Sequence, residues 1–367
     1  MKEENKETPN KSSKKILYCV LNWGLGHATR SIPVIKKQLK KGHTVHIASD
    51  GMALIFLKKK FPKLEFHDLP AYDIQYGATE KSMWWTLFKQ LPKIQRSIRL
   101  EKKIIDELVD KHHFERIISD NRLGCYHPEI ESIYLTHQLK IPEGLQGKIA
   151  TYFHRKAIRK FDKVWVPDDK QHTLSGVLSK WKGAKKPIKF LGPLSHLKKA
   201  QPSENPEIKY LLLLSGPEPQ RTLLEEKLID CLDNITEKIV LVRGTNRLLG
   251  KTLPSNWEVH DMILGDPLQK LICNSAYIVS RSGYSSIMDF TQFGIRPILI
   301  PTPGQPEQKY LALRLRRKYR TKILRQKYLE KFNWSNPYVP KFQPIFASHD
   351  TRNRVQRKAS SKAPSGD

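Results

Sequence analysis

The sequence predicts an α/β protein built as two Rossmann-like domains facing a central cleft. Three observations carry this. Short apolar runs alternate with helical patterns along most of the chain. The alternation breaks at a stretch with three prolines, residues 192–206, and then restarts. The chain has 367 residues, more than one ordinary core fills and comfortable for two.

The elements follow in order. Residues 16–21 (ILYCVL) have the continuous apolar character of a parallel strand buried on both faces. A loop from Asn22 to His27 comes next, then a helix over about residues 28–41, which Gly42 stops. Residues 44–48 form the next strand. Strand, helix and strand make a βαβ unit, and a crossover of that length implies a parallel sheet. Residues 116–119 and 163–166 add strands to the same half. The second half opens with a strand at 209–214, a turn at 215–220 and a helix at 221–232. Residues 239–242, 276–279 and 297–300 are its further strands. The expected boundaries are a first domain at 15–195, a linker at 196–207 and a second domain at 208–330. Residues 1–14 are a polar tail, and 331–367 an extension ending in a Lys-, Arg-, Ser- and Pro-rich stretch with few large apolar residues. After Leu315 a basic helical run to Lys331 is expected, followed by a proline-rich return onto the first half.

Composition narrows the function classes. Hydrophobic residues at 39% and charged residues at 28% suit a globular chain with a core. No apolar run is long enough to span a bilayer, and the first residues lack the apolar stretch of a signal peptide. Cys19, Cys125, Cys231 and Cys273 have no paired spacing, which argues against a disulfide framework or a cysteine zinc site. A cytoplasmic protein is expected. The net charge of +29 favours an anionic partner without choosing among nucleic acid, membrane or acidic substrate. Residues 81–103 combine Met83, Trp84, Trp85, Leu87 and Phe88 with many Lys and Arg, which suits a peripheral helix on an anionic membrane or a lid over an acceptor.

Four loops carry candidate chemistry. In the first, Gly24 and Gly26 let backbone approach a bound group, and the following helix offers free N–H groups. His27 stands at the start of that helix as a candidate base or anion ligand. The second loop, with Ser215 and Gly216, leads to Arg221, placed to meet a phosphate. The third, Arg281-Ser282-Gly283, lies between strand and helix, with Asp289 farther along that helix as an acceptor for ribose hydroxyls. The fourth is a proline-rich loop followed by Glu307 and Gln308, which suit sugar hydroxyls. In the first half, Asp120-Asn121-Arg122, His127 and Thr136-His137-Gln138 are polar groups after strands, with Asp120 a second candidate base. No Asp-x-Asp pair stands at a strand end, so neither Mg²⁺ nor Mn²⁺ is implied.

These loops, in this order, resemble the GT-B glycosyltransferases, especially the MurG type of family 28, which transfers N-acetylglucosamine from UDP to a lipid-linked acceptor. Arg281-Ser282-Gly283 with Asp289 resembles that family's Arg-Ser-Gly turn and its acidic ribose ligand. Glu307-Gln308 resembles the donor-sugar contacts, and Ser215-Gly216 with Arg221 the diphosphate loop. Gly24-Leu25-Gly26-His27 matches the Gly-Gly-His loop, and Leu264-Gly265 falls where the family packs uracil. The resemblance covers roughly residues 15–315. Asp289 is shorter than the family's glutamate, and Tyr284 replaces a small residue. The resemblance implies a cytoplasmic, metal-independent transferase that needs no cofactor and takes a UDP-sugar as donor substrate and an acceptor hydroxyl, which is lipid-linked in the MurG type. A UDP-sugar 2-epimerase resembles the same fold but needs cleft acids, and the first half offers few beyond Asp50, Asp73 and Asp120. A basic nucleic-acid-binding protein is the rival from another class, but no such module is visible in the sequence. A fold kept without catalysis is the third.

Overall fold

The computed structural model describes residues 13–74, 89–142 and 144–337. Residues 81–88 of the basic aromatic segment lie outside them.

The first half alternates strands and helices as expected: β1 (Lys15–Val20), α1 (Leu25–Lys40), β2 (Thr44–Ser49), α2 (Gly51–Lys60) and β3 (Glu65–Asp68). It continues with α3 (Leu91–His112), β4 (Arg116–Asp120), β5 (Glu131–Leu135), α4 (Gly144–Ile158), β6 (Lys163–Val166) and β7 (Ile188–Phe190). Among the described residues these strands form one parallel sheet of order β3-β2-β1-β4-β5-β6-β7. The second half has β8 (Ile208–Leu213), α5 (Gln220–Leu232), β9 (Ile239–Val242), β10 (Trp257–His260) and α6 (Asp266–Cys273). It ends with β11 (Ser275–Ser280), α7 (Tyr284–Phe293), β12 (Ile298–Leu299) and α8 (Pro306–Tyr319). Its parallel sheet has the order β10-β9-β8-β11-β12.

Both faces of each sheet are buried. Ile16, Tyr18 and Val20 pack under one layer of helices, and Leu17 and Cys19 under the other. The second sheet divides the same way, with Tyr210 and Leu212 on one face and Leu211 and Val240 on the other. A strand buried on both faces needs an unbroken apolar run, which is why β1 was legible. Each such Leu or Ile contributes about 1.5–3 kcal/mol on burial.

Strand order fixes where ligands bind. In open parallel sheets the crevice lies beyond the carboxyl ends of the strands, where the order reverses. In the first sheet the order reverses between β1 and β4, and Val20 pairs with Asp120 there. In the second it reverses between β8 and β11, where Leu213 pairs with Ser280. The loops at Asn22, Asp120, Ser215 and Arg281 therefore all leave from crevice ends.

One expectation about the C-terminal part is corrected, while the proline-rich return beyond residue 337 lies outside the described residues. The helix after Leu315 ends at Tyr319, where Arg320 adopts a left-handed conformation, and a short 3-10 segment at Gln326–Lys331 replaces the longer helical run. The described residues beyond it stay on the second half: Trp334 packs on Tyr210, whose hydroxyl donates to the Trp334 carbonyl, and Lys227 pairs with Glu330. It is α8 that reaches the first half, where Arg314 donates to the His172 carbonyl at 2.8 Å and the Tyr310 hydroxyl accepts from Val177 N–H at 2.9 Å. The linker is anchored as well, with Leu197 in the second core and Ser203 N–H donating to the Cys273 carbonyl.

Candidate active site

Two helix starts converge between the halves. Gly24 precedes α1 with φ +73°, which favours glycine, and a Cβ there would meet open space. Gly283 precedes α7, again with open space beside it. Neither helix has a side-chain cap, so no capping side chain claims its first N–H groups. The halves touch here. The Ser285 hydroxyl donates to the Gly26 carbonyl at 3.1 Å, and a Cβ on Gly26 would lie 2.8 Å from that hydroxyl oxygen. A side chain at Gly26 would therefore push the Ser285 hydroxyl aside and disturb this contact. Two dipole ends and their free amides suit a diphosphate between them.

Behind α1 lies a buried polar chain. His27 Nδ1 is 2.8 Å from Asp120 Oδ1, at the end of β4. Arg30, one turn on and buried, donates through Nε to Asp120 Oδ2 at 2.8 Å and pairs with Oδ1 through a terminal nitrogen. Ser31 donates to Oδ2 as well. Burial opposes the Asp120 charge, but Arg30 and His27 outweigh it and hold the carboxyl well below its usual range. The same Nδ1 also lies 2.8 Å from an Arg30 terminal nitrogen, which can only donate, so Asp120 and Arg30 compete for it, and the tautomer that donates Nδ1–H to Asp120 is the one that leaves Nε2 its lone pair. Burial, then the Arg30 charge, lower the His27 pKa despite Asp120. A neutral imidazole oriented by a carboxylate is the arrangement of a general base. Asp120 itself is fully buried with both oxygens engaged by His27, Arg30 and Ser31, so it has no free oxygen to offer an acceptor and is corrected as a candidate base.

The chain crosses to the second half. Arg30 donates to His137 Nδ1 at 3.3 Å, which leaves the proton on Nε2. Nε2 then donates to Glu307 Oε1 at 2.9 Å. The His137 ring lies flat on Tyr284, with centroids 4.1 Å apart, and the Tyr284 hydroxyl donates to the Pro167 carbonyl. Burial opposes the Glu307 charge, but His137 and Arg30 outweigh it and lower its pKa. The substitution of Tyr284 for a small residue thus forms a bridge between halves. Arg30 was not among the sequence candidates. Its signal was the one-turn spacing His27-x-x-Arg30, which places both on one helix face.

Several predicted donor contacts are corrected. Arg221 does not face the cleft. It is buried, donating to Glu218 at 2.7 Å and Glu225 at 2.8 Å, and Glu225 also accepts from Arg243. Glu218, three residues before it in the preceding loop, and Glu225, one turn on along the helix, claim its guanidinium. Arg281 is buried too, and donates to the carbonyls of Gln220, Ile300 and Pro301, with burial lowering its pKa to about 9. It ties the predicted loops together from beneath rather than meeting phosphate. Gln308 is likewise occupied: its Oε1 accepts from Thr302, its Nε2 donates to Gln305, and its carbonyl accepts from Ser282. Ser282, fully buried, serves that packing.

Other expected residues are open to the cleft. Ser215 and Gly216 are exposed at the end of β8, and Gly216 has φ +109°. Gly265 precedes α6 with φ +69° and open space beside it, while Leu264 leans on the core. Asp289 is partly buried on α7, accepting from Ser195 at 2.5 Å, and burial raises its pKa to about 7. Arg122 and Asp50 form a separate buried network: Arg122 pairs with Asp50 and donates to Glu101 at 2.7 Å. Asp73 pairs with Lys93 at the surface, and His127 lies 3.7 Å from Asp106. The acids an epimerase needs are therefore tied up or outside the cleft.

The comparisons agree with the fold. Residues 14–158 match the model described as Glycosyl transferase family 1, and residues 221–335 match the Glycosyltransferase family 28 C-terminal domain. No curated protein matches the chain by sequence. The glycotransferase of kitacinnamycin superposes with a TM-score of 0.61 at 15% identity, covering 86% of this chain and 87% of that one. MurG of Acinetobacter baumannii gives 0.51 at 14% identity, covering 87% and 89%. Arabidopsis thaliana UGT89C1, complexed with UDP-L-rhamnose, gives 0.56 at 12% identity, covering 88% and 89%. At such identities these structures share the fold, while the two family matches carry the activity. Two parallel sheets meeting at their switch points, with a transferase family model on each half in chain order, make this chain a GT-B glycosyltransferase of MurG-like organisation.

Proposed function

We propose that the chain moves a hexose or N-acetylhexosamine from a UDP-sugar to an acceptor hydroxyl. The observation that carries this is the meeting of two uncapped helix starts beside the His27–Asp120 pair. In this reading the diphosphate lies against the free amides of α1 and α7, where negative charge grows as the sugar leaves. His27 Nε2 takes the proton of the acceptor hydroxyl. The sugar hydroxyls meet Glu307, whose carboxylate has a second oxygen beyond the His137 contact. The ribose meets Asp289, and Leu264-Gly265 receives the base. UDP is favoured as the nucleotide by the family 28 match on this half and by the UDP-sugar in the Arabidopsis complex. Metal-independent donor binding, with no cofactor, is part of the proposal, because charge at the diphosphate is met by amides.

Thermal unfolding with UDP, TDP and GDP tests the donor assignment. UDP at about a hundredfold above its dissociation constant is expected to add about 2–3 kcal/mol of stability. Asp289→Ala is expected to remove most of that shift, and Arg221→Ala to lower the baseline midpoint while leaving the UDP shift intact. A UDP shift unchanged in Asp289→Ala would show that the ribose site is elsewhere.

A lipid-linked acceptor at the inner face of a membrane completes the proposal. On α4, Ile149, Tyr152 and Phe153 are exposed beside Lys148, Lys156 and Lys160. Apolar rings flanked by ammonium groups suit an anionic bilayer surface. No helix among the described residues is long and apolar enough to cross a membrane. Tyr152→Ser/Phe153→Ser is expected to reduce co-sedimentation with phosphatidylglycerol vesicles severalfold without changing UDP binding. Equal sedimentation of variant and parent would remove the membrane from the proposal.

A further inference from the structure

The opposite end of the first sheet holds a cluster that the transferase chemistry does not use. His46 lies on β2, Glu65 and His67 on the edge strand β3, and His112 at the last turn of α3. His46 pairs with Glu65 across the strands, near their amino ends, whereas the cleft lies beyond their carboxyl ends. His46 Nδ1 is 3.1 Å from His67 Nε2 and 3.4 Å from Glu65 Oε2. Ligand atoms of His46, Glu65 and His112 all lie within 4.8 Å of one another. Among the described residues this is the one group of at least three such side chains so gathered.

We infer that His46, Glu65 and His112 form a divalent transition-metal site, best suited to Zn²⁺, with His67 beside them as a further ligand or hydrogen-bond partner. Tetrahedral zinc with bonds of about 2.0–2.1 Å sets its ligand atoms about 3.3–3.4 Å apart. The 3.4 Å between His46 Nδ1 and Glu65 Oε2 matches that value, and the His112 ligand atom lies within 4.8 Å of both residues' ligand atoms. Imidazole and carboxylate are the donor types zinc takes outside thiolate sites. The three rings crowd one another, with centroids 4.9 to 5.4 Å apart. Phe114 closes the inner side, 5.0 Å from the His46 ring. The carboxyl end of α3 turns its partial negative charge toward the cluster. Lys15 and Lys111 oppose a cation here, and Glu65 offsets one of them. Entry is from the Glu65 side, which is exposed, while His46 is 2% exposed. A metal here would staple the edge strand and the end of α3 to β2.

The test uses tag-free full-length protein stripped with a chelator. Co²⁺ is titrated with visible absorption as the readout, and Zn²⁺ by competition with a chromophoric chelator. The expected result is a single equivalent with the strong d–d bands of a tetrahedral site, and a thermal midpoint that rises with Zn²⁺ and falls back with EDTA. His112→Ala and Glu65→Ala, both at or near the surface, are expected to weaken uptake by at least about tenfold. His260→Ala, which breaks a surface contact with Glu258 on the second half, is expected to change nothing. Failure of the parent to take up metal, or equal uptake by His112→Ala, overturns the inference.

Discussion

His27→Ala is expected to lower kcat by about 10²–10⁴-fold, the range a positioned general base supplies. The chemistry asks for one group within reach of the acceptor hydroxyl that is neutral at working pH and held in one tautomer. His27 meets these conditions through two neighbours. In the tautomer that donates Nδ1–H to Asp120, Nε2 is free to take the proton, while burial and Arg30 disfavour the imidazolium. Because its pKa is lowered from 6.5, the acid limb of kcat/KM is expected below pH 6.5, with the rate flat above it until another group titrates. Asp120→Asn keeps the shape but allows the amide to donate to Nδ1, which moves the proton to Nε2 and blocks the base. It is therefore expected to match His27→Ala in kcat while leaving UDP binding near the parent value. Full activity in either variant, measured as transfer of radiolabelled sugar, would exclude the dyad from the chemistry.

Legibility in the sequence followed range of interaction. Strands buried on both faces, such as Lys15–Val20 and Ile239–Val242, announce themselves through unbroken apolar runs. The edge strand Glu65–Asp68 reads EFHD, and Ile188–Phe190 is three residues long, so neither carries a period to detect. The site divides the same way. His27 and Asp120 were visible as separate candidates, because each follows a strand. Their pairing joins positions 93 apart, and the His137–Glu307 contact joins positions 170 apart, which only the assembled sheets bring about. Arg221 shows the opposite error. Its helix-start position suggested phosphate, yet Glu218 and Glu225 at local spacing were already enough to claim it. The cluster at His46 has no local ligand spacing and emerges only from strand register.

Arg30→Met is expected to destabilise the first half by about 3–5 kcal/mol, the cost of breaking a buried ion pair from one side. Asp120 has no exposure, and Arg30 meets both of its oxygens. Without the guanidinium, His27 and Ser31 alone face a buried carboxylate, and His137 loses its donor. The deficit carries a pH signature. In the parent the folded pKa of Asp120 is depressed, so its contribution is present above the ordinary carboxylate range and is lost only as pH falls below it. In Arg30→Met burial raises that pKa instead, so the carboxylate binds a proton in the folded state and the deficit grows as pH rises above the unfolded value of about 3.9. Urea unfolding followed by far-UV circular dichroism is expected to give a larger loss at pH 8 than at pH 5. Arg30→Met/Asp120→Leu removes both charges together and is expected to recover most of the loss, since a buried pair replaced by apolar groups costs little. That double variant is still expected to be inactive, because His27 loses the carboxylate that fixes its tautomer. Recovery of folding without recovery of transfer would separate the two roles of this pair. A double variant as unstable as Arg30→Met would locate the cost in packing around Arg30 rather than in the stranded charge.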